Sequence, residues 1–212
     1  MEAQFSRLAS KYPDLASCIP EIQAAFDLLR NTYRNGKKVM VCGNGGSSAD
    51  SEHIVAELMK GFLSGRALPD SVQERLAERF PENGAYLAGH LQGALPAISL
   101  VSQSALTTAF ANDVAPDMVF AQQVYGYGEA GDTLISISTS GESKSVIHAA
   151  QVARILGVAA VGLTGKTGGR LKDLCDVCIC VPYGATSEVQ ERHMAIYHAL
   201  CAALEAEFFP DD

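Results

Sequence analysis

The stretch Lys37-Lys38-Val39-Met40-Val41-Cys42-Gly43-Asn44-Gly45-Gly46-Ser47-Ser48 decides the fold. Residues 38–42 form a short apolar run of the kind that makes a buried strand. It passes straight into glycines and serines, and residues 47–62 continue with helical character. The pattern recurs along the chain. Residues 97–101, 133–138, 158–163 and 177–182 read as four more strands. Helical stretches at 103–111, 116–128, 144–156 and 186–208 separate or follow them, and 168–175 reads as a short helix. Two helices, 3–12 and 20–34, precede the first strand; Pro20 suits a helix start and Asn35-Gly36 a helix end. Short, nearly all-apolar strands alternating with helices predict an α/β fold whose parallel sheet is covered on both faces. Ligands of such sheets bind outside the carboxyl ends of the strands, which is where the Gly, Ser and Thr clusters fall.

Composition agrees. With 212 residues, 48% hydrophobic and 19% charged, the chain has room for one ordinary domain with a full core. It lacks the biases of disorder, collagen or coiled coil. Asp+Glu at 24 against Lys+Arg at 16 gives a net charge of −8, with no basic run. That argues against nucleic acid or an anionic membrane as partner, but not against a phosphorylated ligand, which backbone amides and hydroxyls can hold locally. No apolar run has the length of a membrane span, and the polar N-terminus is not a secretory signal, so a cytoplasmic location is expected. The segment 64–96 interrupts the strand–helix rhythm. Residues 69–80 have helix character, and the segment stands open as a lid, an oligomer contact or an inert insertion. Of six cysteines, Cys175-Asp176-Val177-Cys178 is formally a C-x-x-C but lacks the second pair or nearby histidines of a zinc site. Cys178 and Cys180 are expected to be small hydrophobes of a buried strand.

Four groups of residues carry candidate chemistry. The glycine loop 43–48 joins a strand to a helix start, where glycines let the backbone approach an anion; it matches neither G-x-x-x-x-G-K-[ST] nor G-x-G-x-x-G, and a plain tight turn is its alternative. Ser138-Thr139-Ser140-Gly141-Glu142-Ser143 puts four hydroxyls at another strand-to-helix junction, which suits a phosphate monoester; helix capping by Ser140 or Ser143 is the alternative. His53 and Glu57, four apart on the helix after the glycine loop, can touch as an acid/base pair or two metal ligands, or can be an exposed surface pair. On the last helix Glu191 and His198 share a face, Gln190 lies about 80° round from His198, and His193 falls on the apolar stripe as a packed histidine. His90 and His148 are expected to be solvated, and Asn112-Asp113 to form a helix-ending turn.

Taken together, these segments resemble the sugar isomerase (SIS) domain family, and most closely its sedoheptulose 7-phosphate (phosphoheptose) isomerases. The shared residues are CGNGGS at 42–47, Ala49-Asp50 with His53 and Ala56-Glu57-Leu58, Ala111-Asn112-Asp113, Ser138–Gly141 with Ser143, Leu163-Thr164-Gly165-Lys166 with Gly168-Gly169, and Gln190-Glu191 with His193 and His198. They occur in order over nearly the whole chain, apart from 64–96. The resemblance implies a single SIS domain over 1–212, with N-terminal helices to about 36 and an insertion at about 64–96. It implies a three-layer sandwich with a five-stranded parallel sheet, a homotetramer with active sites between subunits, and conversion of sedoheptulose 7-phosphate to D-glycero-D-manno-heptose 7-phosphate for surface glycans such as lipopolysaccharide. It assigns the phosphate to Ser138, Thr139, Ser140 and Ser143. It places Asn44, Ser47, Asp113 and Gln190 on the substrate. Glu57 and His198 become the acid/base pair, and His53, Glu57, Gln190 and His198 a zinc site. Two positions depart from the family pattern: Glu142 replaces a usual Asn in the phosphate loop, and Glu188 stands where an Arg is common. The alternatives are a non-catalytic SIS-domain protein that binds sugar phosphates or associates with a replication initiator, and an isomerase of another ketose phosphate.

Overall fold

The strands are short and almost wholly buried because helices cover both faces of the sheet they build. The computed structural model describes residues 2–210. Strands β1 (Val39–Gly43), β2 (Ala97–Ser99), β3 (Thr133–Ser138), β4 (Ala159–Thr164) and β5 (Val177–Cys180) pair in parallel in the order β2-β1-β3-β4-β5. The helices are α1 (Glu2–Lys11), α2 (Ile19–Arg34), α3 (Gly46–Met59), α4 (Asp70–Arg79), α5 (Gly84–His90), α6 (Ser104–Asp113), α7 (Val119–Tyr127), α8 (Lys144–Ile155) and α9 (Thr186–Phe208). Alternate residues of one strand enter opposite cores, as the period of two requires. Val39 and Val41 pack with residues of α1, α2, α3 and α9, while Met40 and Cys42 pack with residues of α7 and α8. This is the predicted three-layer sandwich.

The chain runs from β1 outward to β2, then returns past β1 to β3. The sheet therefore changes direction between β1 and β3, and the crevice at their carboxyl ends is where an open α/β sheet binds its ligand.

Several boundaries differ from expectation. Helix α3 stops at Met59 and Lys60 is extended, so the stretch to 62 is not helical. The segment 168–175 holds only a 3-10 turn, Gly169–Leu171, because Gly168 and Gly169 both adopt positive φ. Helix α6 runs on to Asp113, so Asn112 and Asp113 are its last two residues rather than a turn beyond it. The interruption at 64–96 contains two helices, α4 and α5, packed on each other. No residue of α4 is buried, which accounts for the weak apolar pattern there.

The stem of that insertion is firmly held. The Arg66 side chain is fully buried; its Nε donates to Glu205 Oε1 at 2.7 Å, Nη1 to the Leu58 carbonyl at 2.7 Å and Nη2 to the Glu57 carbonyl at 2.8 Å. Glu205 also accepts the backbone N–H groups of Phe62, Leu63 and Ser64. Burial pushes the Glu205 carboxyl up, but these donors outweigh it and hold it below the usual range.

Candidate active site

The crevice between β1 and β3 is bridged directly. Asn44, just after β1, donates through Nδ2 to Ser143 Oγ at 2.8 Å and to Ser145 Oγ at 3.0 Å, on the loop after β3 and the first turn of α8. Ser143 occupies the N-cap of α8 yet makes no side-chain capping bond. Its hydroxyl is thus not consumed by the ordinary local task, and the start of α8 keeps free N–H groups. Ser140 Oγ accepts the Glu142 N–H at 3.1 Å, and the buried Ser138 Oγ accepts the Gly141 N–H at 3.1 Å. These bonds shape the loop. Thr139 stands half-buried between them.

Gly141 is needed in two ways. Its φ is +68°, and a side chain there would strike the carbonyl of Gly168. The loop after β4 thus packs on the loop after β3, with Gly165 N–H donating to the Thr139 carbonyl at 3.0 Å. Glu142, whose carboxylate would repel a phosphate if it faced one, is instead bound to Arg170: it accepts the Arg170 N–H at 2.8 Å and Arg170 Nε at 2.7 Å. Arg170 holds the Glu142 carboxyl below its usual range. The other departure, Glu188, is exposed on the first turn of α9.

A second group forms where α3 packs on α9. His53 Nε2 lies 3.2 Å from Glu57 Oε1 and 3.4 Å from His198 Nε2. Glu57 is only 9% exposed, so the pair is not a solvent-exposed surface contact. The sequence separation between Glu57 and His198 is closed by the fold, as the resemblance requires. Tyr197 orients the group. Its hydroxyl lies 3.3 Å from Asp50 Oδ1 and 2.9 Å from His53 Nδ1. Burial pushes the His198 imidazole down, helped by His53, so His198 is neutral at neutral pH. A carboxylate and two imidazole nitrogens converge, and Glu57 Oε2 is buried without a hydrogen-bond partner. Lys60 Nζ is the nearest cation, at 3.9 Å from that oxygen.

Two spacings in this donor set are those of a divalent-ion site. Ligands about 2 Å from a tetrahedral zinc stand roughly 3.3 Å apart, close to the 3.2 and 3.4 Å found here. Among the described residues no group of three or more His, Cys, Asp or Glu could hold a metal ion as the side chains stand. Gln190 is placed elsewhere: its amide fills the space over Gly46, at the start of α3. His198 is eight residues further along α9, about 12 Å along the axis. Gln190 therefore belongs to the glycine-loop end of the crevice, with buried Ser47 beside it in sequence.

Not every candidate is gathered. Asp113 is exposed at the end of α6, where Asn112 Nδ2 donates to it at 2.8 Å. His193 is fully buried, donates from Nε2 to the Thr164 carbonyl at 3.2 Å, and is pushed down to about 4 by burial; it is the packed histidine expected. Glu191 is exposed and pairs with Arg192. His90 is exposed as expected, but His148 is half-buried and contacts the Asp117 carbonyl at 3.0 Å. Tyr197, Arg66 and Ser145 were not singled out by the sequence, and Asp50 entered only as part of the shared motif, without a role. Asp50 sits one turn before His53, which was a usable signal; Arg66 had none, because its partners lie in a distant helix.

Comparison with known proteins follows the same lines. The family described as SIS domain matches residues 97–206, and a second, also described as SIS domain, matches residues 15–73. The chain belongs to the SIS domain family. It is 38% identical to a phosphoheptose isomerase of Rhodospirillum rubrum, over 90% of this chain and 88% of that one. It is 42% identical to a phosphoheptose isomerase of a Nitratiruptor species, over 82% and 80%. A phosphoheptose isomerase structure from Neisseria gonorrhoeae superposes with a TM-score of 0.72 at 30% identity, covering 95% of this chain and 94% of that one. Within the SIS domain proteins, the chain belongs to the phosphoheptose isomerases.

Proposed function

We propose that this chain isomerises sedoheptulose 7-phosphate to D-glycero-D-manno-heptose 7-phosphate through an enediol, with Glu57 and His198 moving the protons. The observation that carries the assignment is the convergence of Glu57, His53 and His198 where α3 packs on α9, in a fold that also places a hydroxyl-rich loop at the carboxyl end of β3. Ketose-to-aldose conversion removes a proton from C1 and returns one to C2, while a second proton moves between the two oxygens. Glu57, buried and with one oxygen free of partners, is suited to the carbon-bound proton. His198, neutral and half-buried, can give and take the oxygen-bound proton. His53, fixed by Tyr197 and Asp50, positions both. When bound by His53, Glu57 and His198, a divalent ion supplies polarisation of the carbonyl and stabilisation of negative charge. Gln190 in this reading serves the substrate, and it would join such an ion only after a shift of its side chain.

The phosphate is proposed to bind at Ser138, Thr139, Ser140 and Ser143 with the free N–H groups of α8. Asn44, Ser47 and Gln190 then line the sugar between the two ends. A hydroxyl on a phosphate oxygen is a charge-assisted bond of about 1.5–3 kcal/mol, so Ser143→Ala is expected to raise KM by roughly 10–100-fold and leave kcat within a few-fold. Steady-state kinetics on the sugar phosphate checks this.

Exposed Asp113, in contact with none of the other candidates, supports a site completed by a second copy, and a homotetramer is proposed. The single SIS domain over 1–212, a cytoplasmic location and a role in heptose-containing glycans belong to the same reading; among the described residues no helix is long and apolar enough to cross a membrane.

The test is direct. Aldose formation from sedoheptulose 7-phosphate is followed with and without prior chelation. Turnover that falls at least tenfold on chelation and returns with zinc is expected. No turnover at any metal loading would reject the isomerase reading in favour of a binding protein. Full turnover after complete metal removal would reject the ion.

A further inference from the structure

Three thiols lie along the edge strand β5, where the sequence predicted buried small hydrophobes. Cys175, Cys178 and Cys180 are instead half-buried. Cys178 Sγ and Cys180 Sγ are 3.8 Å apart. Cys178 Sγ and Cys175 Sγ lie 2.9 and 3.0 Å from one point, the position a side chain on Gly162 would take, so both sulfurs occupy the space that glycine leaves open. Cys175 also borders an open pocket of about 340 Å³ beside Asp173 and Asp176, which gives small solutes a route to it.

The cluster is tied to the proposed phosphate loop. Cys180 Sγ sits 3.1 Å from the side-chain position of Gly168, the residue packed against Gly141. The Cys175 N–H donates to the Leu171 carbonyl at 3.2 Å, and the Leu171 N–H to the Gly141 carbonyl at 3.1 Å.

We propose that Cys178 and Cys175 are a peroxide-oxidised, reversible disulfide pair whose closure loosens the phosphate loop; the second half of this rests on the isomerase reading above. Cys178 is the attacking thiol, because hydrogen bonding from Cys175, with Thr164 and Cys180, outweighs burial and lowers it. Cys175 is pushed up by the same bond and by burial, so it is the thiol held in reserve. The Cys178 thiolate attacks one oxygen of hydrogen peroxide, the O–O bond breaks, and hydroxide leaves a sulfenic acid. Hydroxide takes the Cys175 proton to give one water, the Cys175 thiolate attacks the Cys178 sulfur, and the S–O bond breaks to release hydroxide, which takes up the proton that Cys178 gave off to give the other. Two thiols lose two electrons to the peroxide, and two waters form. Pairing of Cys178 with Cys180 is disfavoured, since residues two apart on an extended strand place their Cα atoms at the limit of disulfide reach.

The test uses the full chain. After hydrogen peroxide and alkylation of remaining thiols, peptide mass spectrometry is expected to find Cys175 linked to Cys178, lost on treatment with dithiothreitol. Cys175→Ser is expected to accumulate dimedone-reactive sulfenic acid at Cys178, and Cys178→Ala to show neither product. An unlinked Cys178 that alkylates no faster than Cys42 or Cys201 would overturn the pair. In the same samples KM is expected to rise at least threefold on oxidation of the wild type and to stay constant in Cys175→Ser. A linked pair with unchanged KM would overturn the coupling to the loop. The mapping needs no substrate, and turnover of the reduced enzyme reports separately on the isomerase reading.

Discussion

Glu57→Gln is expected to lower kcat by about 10²–10⁴-fold, the usual contribution of a positioned acid/base group, with KM changed only a few-fold. The substitution keeps the volume at a buried position and removes only the ability to carry the proton. The Arg66 bonds to the Glu57 and Leu58 carbonyls use backbone atoms and are untouched. The stability of the variant should therefore stay close to wild type, which separates a lost proton carrier from a damaged helix. Stopped assays on sedoheptulose 7-phosphate and a thermal melt of the same sample check the two halves. A variant retaining a tenth or more of wild-type kcat would remove Glu57 from the chemistry.

The second large effect concerns Arg66. Its side chain and that of Glu205 are 0% and 3% exposed. Arg66→Met leaves Glu205 charged, buried and short of a partner, a change that typically costs about 3–5 kcal/mol. For a domain of this size, that lowers Tm by roughly 6–20 °C. Replacing both members, as in Arg66→Met with Glu205→Leu, removes the stranded charge but also leaves the Phe62, Leu63 and Ser64 N–H groups unmet, so only partial recovery is expected. The sign with pH is fixed by the depressed Glu205 value. Its contribution is present above the ordinary carboxylate range and is lost as pH falls through the lower folded value. Melting curves of the wild type and Arg66→Met should accordingly converge on acidification. A Tm change below 2 °C at neutral pH would show that the stem is not what fastens the insertion to α3 and α9.

Legibility in the sequence followed locality. Strands β1, β3 and β4 were visible because both faces are buried and their residues are uncharged and mostly apolar or small, and the hydroxyl loop was visible because its residues are adjacent in the chain. What depended on distant partners was not. The exposed α4–α5 hairpin has no buried stripe to reveal a period. Arg66 finds Glu205 in another helix, and Tyr197 reads as one more apolar-stripe residue until its hydroxyl meets Asp50 and His53. Glu142 raised a charge conflict on paper, which Arg170, 28 residues on, resolves. The convergence of Glu57 and His198 came from the family resemblance, and the packing of α3 on α9 supplies its physical basis.

The central claim is proton transfer by this chain between adjacent carbons of a sugar phosphate. Its most direct test is conversion of sedoheptulose 7-phosphate in deuterium oxide, followed by proton NMR, by wild type and Glu57→Gln in parallel. The wild type is predicted to yield aldose carrying solvent deuterium at C2, and Glu57→Gln to yield neither aldose nor exchange at C1 of the ketose. Aldose formed by the wild type with no solvent hydrogen at C2, or exchange undiminished in Glu57→Gln, would contradict the account.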